Sequence, residues 1–458
     1  MDISSAVAAL IYWGELSGLG VKDLIPFISY MKKYALVIRL KNYRKRYQIG
    51  VFQLKEERQK ITEILYKYYN HDNLNNNGYF LSYRTNAGTR YLPLITKLNY
   101  VPDDNNFNIN ITCGQFTGKQ IIVKIGDING LFKKRRMTEI GNKQIDLKKF
   151  VREISHWEAA NLKIWNDKLY SLHNVIYSNN NNSHNIKLNF CETDFYTYRA
   201  TYGSINDELA MFVYKKQHLK FLSYKKLRAY LPKREFFLNS INEIFSFSNR
   251  ICAGGPIVLF AINRGSNNIG VIIQKRSVYV SDEPGSITVI PKAFHQPYID
   301  PYEDFDLEST IWRECYEELF GGEDLLRNKR HISNDFYLTK KEALRDLRGC
   351  YELKPLGVFW DLFRGNYHVP YCLFVNDPAW WEKHSRDICV NWEVDQELKG
   401  FLKLDSGNQH SLIHLIGRQD WAPESYFTFI EGLRWLSTKV STCGFINKLL
   451  PALYTEQV

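Results

Sequence analysis

The residues best suited to chemistry in this chain are three glutamates crowded into Leu307–Phe320, LESTIWRECYEELF. On a helix turning about 100° per residue, with Arg313 as zero, Glu317 falls at about 40°, Glu314 at about 100° and Glu318 at about 140°. The three carboxylates thereby share one face, while Ile311, Trp312, Cys315, Tyr316 and Leu319 occupy the other. Such a helix is anchored by its apolar side and presents its acids together. Neighbouring carboxylates repel unless water or a cation screens them, and hard oxygen donors at this spacing suit magnesium or manganese. The plain alternative is a surface helix with an acidic stripe.

Arg313-Glu314-Cys315-Tyr316-Glu317-Glu318 resembles the signature helix of the Nudix hydrolase superfamily: Arg-Glu, an apolar residue, any residue, then two glutamates. The likeness extends upstream to a hairpin carrying Gln274-Lys275-Arg276-Ser277 and to the strand Ile287–Pro291, and downstream to a strand pair and a closing helix. A weaker likeness at Glu192–Leu209 is similar to an extension preceding the core in some larger bacterial members. The resemblance implies an α/β/α sandwich with a mixed sheet, its core at about 250–440. It further implies metal-dependent hydrolysis of a phosphoanhydride in a nucleotide or a nucleoside diphosphate derivative. Glu314, Glu317 and Glu318 would hold Mg2+ or Mn2+, one glutamate would act as base, and Arg313 would orient a carboxylate. Glu393 and Glu397 are candidates for a further acid from a later loop.

Phe305 stands where the family has a glutamate eight residues before the arginine, and Lys292-Ala293-Phe294-His295-Gln296-Pro297 replaces its double glycine. The stretch leading to Arg313 is also about six residues too long, which makes Asp304, Asp306 and Glu308 substitute partners for the guanidinium. These departures keep a second function class open: a Nudix fold that senses a nucleotide without turnover, in a regulatory or defence complex.

The elements that must position these residues follow from apolar patterning. Ile257–Ile262 and Gly270–Lys275 read as a hairpin, Ser286–Ile290 as a further strand, Leu353–Phe363 and Val369–Val375 as strands, and Pro423–Ser437 as a terminal helix. Before them, Tyr34–Leu54 reads as strands and Glu56–Tyr69 as a helix. Tyr79–Tyr83, Tyr91–Tyr100, Phe107–Cys113 and Gln120–Ile125 read as strands, Asp146–Ile176 as an amphipathic stretch and Lys215–Phe247 as a basic helical region. The run Ser178–Asn185, SNNNNSHN, has nothing to bury and reads as a loop or linker. The expected organisation is a basic α+β accessory domain over 1–178 and, over 179–458, a Nudix domain with an N-terminal extension.

Residues 1–250 hold 38 Lys and Arg against 21 Asp and Glu, a net +17, whereas 251–458 hold 22 against 28, a net −6. The first half is therefore the expected site of any nucleic-acid or protein partner, through Lys41–Arg46, Lys133–Arg136 and Lys225–Arg234. Eight scattered cysteines with no CxxC pair argue against structural zinc and a disulfide scaffold. The most apolar N-terminal run, Ala6–Trp13, is too short to span a bilayer, so a cytoplasmic setting is expected.

Overall fold

The computed structural model describes residues 45–46, 49–69, 78–85, 88–98, 108–119, 137–140, 143–146, 167–180, 183–215, 224–265, 268–276, 283, 285–297, 306–322, 341–389, 394–404, 409–440 and 446–457. Its strands are β1 (Tyr79–Thr85), β2 (Gly88–Thr96), β3 (Asn108–Lys119), β4 (Met137–Ile140), β5 (Lys143–Asp146), β6 (Lys168–Asn180), β7 (Ser183–Asp194), β8 (Gly254–Asn263), β9 (Ile269–Arg276), β10 (Ile287–Val289), β11 (Tyr351–Pro355), β12 (Phe359–Asp361), β13 (Tyr367–Val375), β14 (Val394–Leu404) and β15 (Ala452–Gln457). Four helices bear on the site: α1 (Arg58–Tyr69), α2 (Leu307–Glu314), α3 (Pro378–His384) and α4 (Pro423–Lys439).

Ten strands form one mixed sheet in the order β10-β9-β8-β13-β12-β2-β1-β15, with β11 paired to β13 and β14 to β9. Its parallel pair, β8 and β13, is buried along almost its whole length. Near-continuous apolar runs such as PIVLFAI suit a strand covered on both faces. Leu259 meets α4, where a Cβ on Gly432 would stand 2.6 Å from its Cδ2. The next residue, Phe260, packs against Trp380 of α3 with ring centroids 6.4 Å apart, and Trp380 also meets Phe320 at 6.3 Å. Successive strand residues point to opposite sides, so helices cover both faces of β8. The protein is a mixed α/β fold around a large mixed sheet.

The N-terminal strands are part of that sheet. Trp360 and Asp361 of β12 pair with Ile95 and Leu94 of β2, and β15 returns to pair with β1 from Tyr79↔Gln457 to Arg84↔Ala452. Helix α1 clamps this end: the Tyr66 hydroxyl donates to the carbonyls of Leu81 and Leu92, and its ring stacks on Phe80 at 3.8 Å. A second sheet, β3-β7-β6, carries a parallel β3/β7 pair, and β4 and β5 form a separate hairpin.

Several expectations are corrected here. Within the run read as a loop or linker, Ser178–Asn180 closes β6 and Ser183–Asn185 opens β7, and the two stretches pair, because strand pairing uses backbone groups that asparagine supplies as well as any residue. Strand β6 runs through position 178, and both sheets include strands from before and after it. Residues 49–54 are helical where strands were expected, and Lys168–Ile176, the end of the stretch read as amphipathic, is strand. The described residues of Lys215–Phe247 include the short helices Tyr224–Tyr230, Pro232–Phe237 and Ile241–Ile244. Gln120–Ile125, Lys133–Arg136 and Lys41–Arg44 lie outside the described residues.

If the sheet is one cooperative unit, the fragment 179–458 lacks the strands that pair with β12, β15 and β7. Expressed alone it should lose the sharp urea transition of the intact chain and expose unpaired edges that aggregate. A monomeric fragment melting within a few degrees of the whole chain would contradict this arrangement.

Candidate functional site at the glutamate turn

Helix α2 starts at Asp306, whose side chain caps it by accepting from the Ser309 N–H at 3.3 Å. Leu307, Ile311, Trp312, Cys315 and Leu319 are buried, as the apolar stripe requires. Glu308 accepts from the Trp312 indole at 3.1 Å and from the Tyr351 hydroxyl at 2.8 Å. After Glu314 the helix loosens into a π turn over Cys315–Leu319, closed by the Phe320 N–H donating five residues back to the Cys315 carbonyl at 3.2 Å. Gly321, at φ +61°, ends it, and the Gly322 N–H returns to the Tyr316 carbonyl at 2.8 Å.

The segment 291–297 lies beside this turn and is stitched to β8 from both directions. Val258 donates to Pro291, Ala293 donates to Pro256, and the His295 N–H donates to Gly254 at 2.7 Å. A Cβ on Gly255 would come within 2.2 Å of the Ala293 oxygen and 2.6 Å of the His295 nitrogen, so only glycine permits this approach. The His295 carbonyl accepts from Tyr170 of β6, and its buried ring packs against Tyr170 and Phe190 with Nδ1 3.1 Å from the Tyr367 hydroxyl. The loop is thereby pinned between the two sheets.

Arg313, 1% exposed, uses this loop as its socket. Its guanidinium donates to the Gln296 carbonyl at 3.3 Å and the Phe294 carbonyl at 3.5 Å, and pairs with Glu314 at 2.7 Å. Glu318, 6% exposed, accepts the backbone N–H of Lys292 at 3.2 Å. The Lys292 ammonium reaches Glu424 in the first turn of α4 at 2.5 Å, both side chains being nearly buried. The carboxylate that Arg313 pairs with is Glu314. Among the substitutes for the missing family glutamate, Asp306 serves as a cap and Glu308 holds Trp312 and Tyr351, whereas Asp304 lies outside the described residues.

The π turn alters the expected face. With bonds running five residues back, the 100° step fails beyond Glu314, so the helical wheel misplaces Glu317 and Glu318 relative to it. Glu314 and Glu318 both act on the thiol of Cys315, which burial first and these charges second push well above its ordinary value, leaving it an inert packing group. Glu317 is half-buried on the same turn. Among the described residues, no group of three or more His, Cys, Asp and Glu side chains stands together to hold a metal ion. Magnesium commonly takes one or two carboxylates and completes its shell with substrate phosphates and water. Arg313 pairs with Glu314, while the Lys292 N–H donates to Glu318 and its ammonium reaches Glu424.

Lys292 and Glu424 were not among the candidates, and being 132 residues apart they leave no local spacing to find them by. Glu393 lies outside the described residues, and Glu397 falls within β14. The basic charge of the first half is partly internal. Arg234 and Arg250 are fully buried, donating to the carbonyls of Leu362 and Phe363 and of Ile244 and Gly365, and Arg199 pairs with Asp207 at 2.9 Å. Arg234 is thus removed from any phosphate-contacting surface. No helix among the described residues is long and apolar enough to cross a membrane. No protein-family model matches the chain, and no curated protein matches it.

Burial pushes the Asp306 carboxyl above its ordinary value, and the charge of Glu308 adds to this against the pull of the helix N–H groups. A raised folded-state value means stability that is full below the unfolded value and lost as pH rises through the folded one. Asp306→Asn keeps the cap and removes the charge. It should match or exceed the wild type in urea stability at pH 7, with the difference shrinking as pH falls towards 4. A loss of about 1 kcal/mol or more at pH 7 would show that the ionised cap is favourable.

Proposed function

We propose that this protein is a metal-dependent hydrolase of the Nudix type, cleaving a phosphoanhydride in a nucleotide or a nucleoside diphosphate derivative. The observation that carries this reading is the anchored turn itself, where a buried arginine and a backbone N–H fix two glutamates. A surface acidic stripe needs no buried guanidinium socket, and leaving Arg313 in one without chemical return is costly. A bound magnesium or manganese ion would polarise the phosphoanhydride and make water nucleophilic. Within the chain, Arg313 holds Glu314, Lys292 holds Glu318, and Glu317 is assigned to accept the proton of the attacking water. Glu314 and Glu318 are assigned as the carboxylates that meet the metal. The basic first half, reduced by its buried arginines, is assigned to recruitment of an anionic partner.

The test is phosphate or nucleoside monophosphate release from a panel of nucleoside diphosphate derivatives, with and without Mg2+ or Mn2+. Metal-dependent turnover is expected, with Glu317→Gln and Glu318→Gln each lowering kcat by roughly 100-fold or more while the urea midpoint moves little. Saturable nucleotide binding without product would replace this reading with the sensor. Full activity in both variants would remove the glutamates from the reaction.

A further inference from the structure

We propose that Gln274 and Thr288 read the nucleobase of the substrate, from a polar patch on the sheet face where the glutamate turn lies. This rests on the phosphoanhydride reading of that turn. Antiparallel pairing sets Thr288 of β10 opposite Gln274 of β9, and residues directly opposite each other share a face. The same rule puts Val271 with Ala261 of β8. Side chains alternate along a strand, so Gln274 and Thr288 lie on the face of Phe260, away from Ala261. Phe260 packs on Trp380, which meets Phe320 at the end of the π turn. The patch is therefore on the π-turn side of the sheet, while α4 covers the other side at Leu259.

Over β8 this face is apolar, as packing against helices requires: Val258, Phe260 and Ile262 are fully buried. At β9 and β10 it turns polar while staying buried, with Gln274 2%, Arg276 7% and Thr288 0% exposed. The Thr288 hydroxyl finds no hydrogen-bond partner among the described residues. A buried hydroxyl without a partner costs folding free energy, whereas valine fills nearly the same space in a strand without that cost. Its retention here points to a ligand. Thr288 comes four residues before Lys292, whose N–H donates to Glu318. At most about 14 Å of backbone thus separates the hydroxyl from that anchor. A nucleotide spans a comparable distance from base to terminal phosphate, so phosphates at the turn bring the base to this patch. An amide offers a donor and an acceptor side by side, and a hydroxyl can serve as either. That set matches the donors and acceptors along a base edge, and an uncharged pair suits the uncharged part of a nucleotide.

The test is calorimetric titration of the full-length protein, with Mg2+ present, using adenosine, guanosine, cytidine and uridine diphosphate and inorganic pyrophosphate. The wild type should bind its preferred nucleotide about tenfold or more tightly than the least preferred. Thr288→Val should weaken the preferred nucleotide about fivefold or more, cut the preference to about threefold or less, and leave pyrophosphate within about twofold. Its urea midpoint should match or exceed the wild type's, because the change strands no partner among the described residues. Gln274→Met, of similar volume, should flatten the preference in the same way. A wild type that binds all four bases alike, or a Thr288→Val variant with undiminished preference, would overturn the proposal and leave the hydrolase reading untouched. An equal loss for pyrophosphate, or a clear fall in the urea midpoint, would assign the hydroxyl to the fold and also overturn it. Binding with the stated losses but without product would uphold the proposal and replace the hydrolase by the sensor. A protein that binds none of the five probes overturns both.

Discussion

The close approach of residues 291–297 to the start of β8 is the constraint on which the glutamate turn depends. Gly254 and Gly255 make it possible: a Cβ on the first would stand 1.8 Å from the Tyr367 oxygen, and one on the second 2.2 Å from the Ala293 oxygen. With both side chains absent, β8 accepts β13 on one edge and the loop on the other. The loop can then offer the carbonyls of Phe294 and Gln296 to Arg313 and the N–H of Lys292 to Glu318. Both Arg313 and Glu318 are reached from this strip of backbone. A buried guanidinium is tolerable only where its donors are met; the loop supplies two carbonyls and Glu314 of α2 a carboxylate.

The same strip joins the two sheets. His295 lies between Tyr170 of β6, Phe190 of β7 and Tyr367 of β13, and its backbone bonds run to Gly254 and Tyr170. The smaller sheet therefore braces the loop from outside, while α4 braces it from beneath through Glu424. The turn is held from several elements far apart in the chain, which is the condition for side chains placed closely enough for chemistry.

Much of the central architecture was legible because it is written in local patterns. The hairpin at Ile257–Ile262 and Gly270–Lys275, the strand at Ser286–Ile290 and the helix at Pro423–Ser437 are apolar runs bounded by turn residues, and each forms close to its expected limits. The π turn was not legible, since nothing in CYEEL separates an i→i−5 bond from an i→i−4 bond. Gly254 and Gly255 both belong to β8, and their role appears only with the neighbouring backbones in place. Lys292 with Glu424, β2 with β12 and β1 with β15 are long-range pairings that no periodicity encodes. The charge asymmetry overstated the exposed basic surface, because a count cannot distinguish Arg234 and Arg250 in the interior from lysines in water.

The central claim is that the turn presents two anchored glutamates to a cation that arrives with phosphate. Anomalous diffraction from crystals grown with Mn2+ and a non-hydrolysable nucleoside diphosphate analogue tests it most directly. The account predicts one manganese peak within about 2.2 Å of oxygens from at least two of Glu314, Glu317 and Glu318 and of the analogue's phosphates, with Arg313 and Lys292 unmoved. A manganese ion bound by the phosphates alone, or an analogue seated away from this turn, would contradict it.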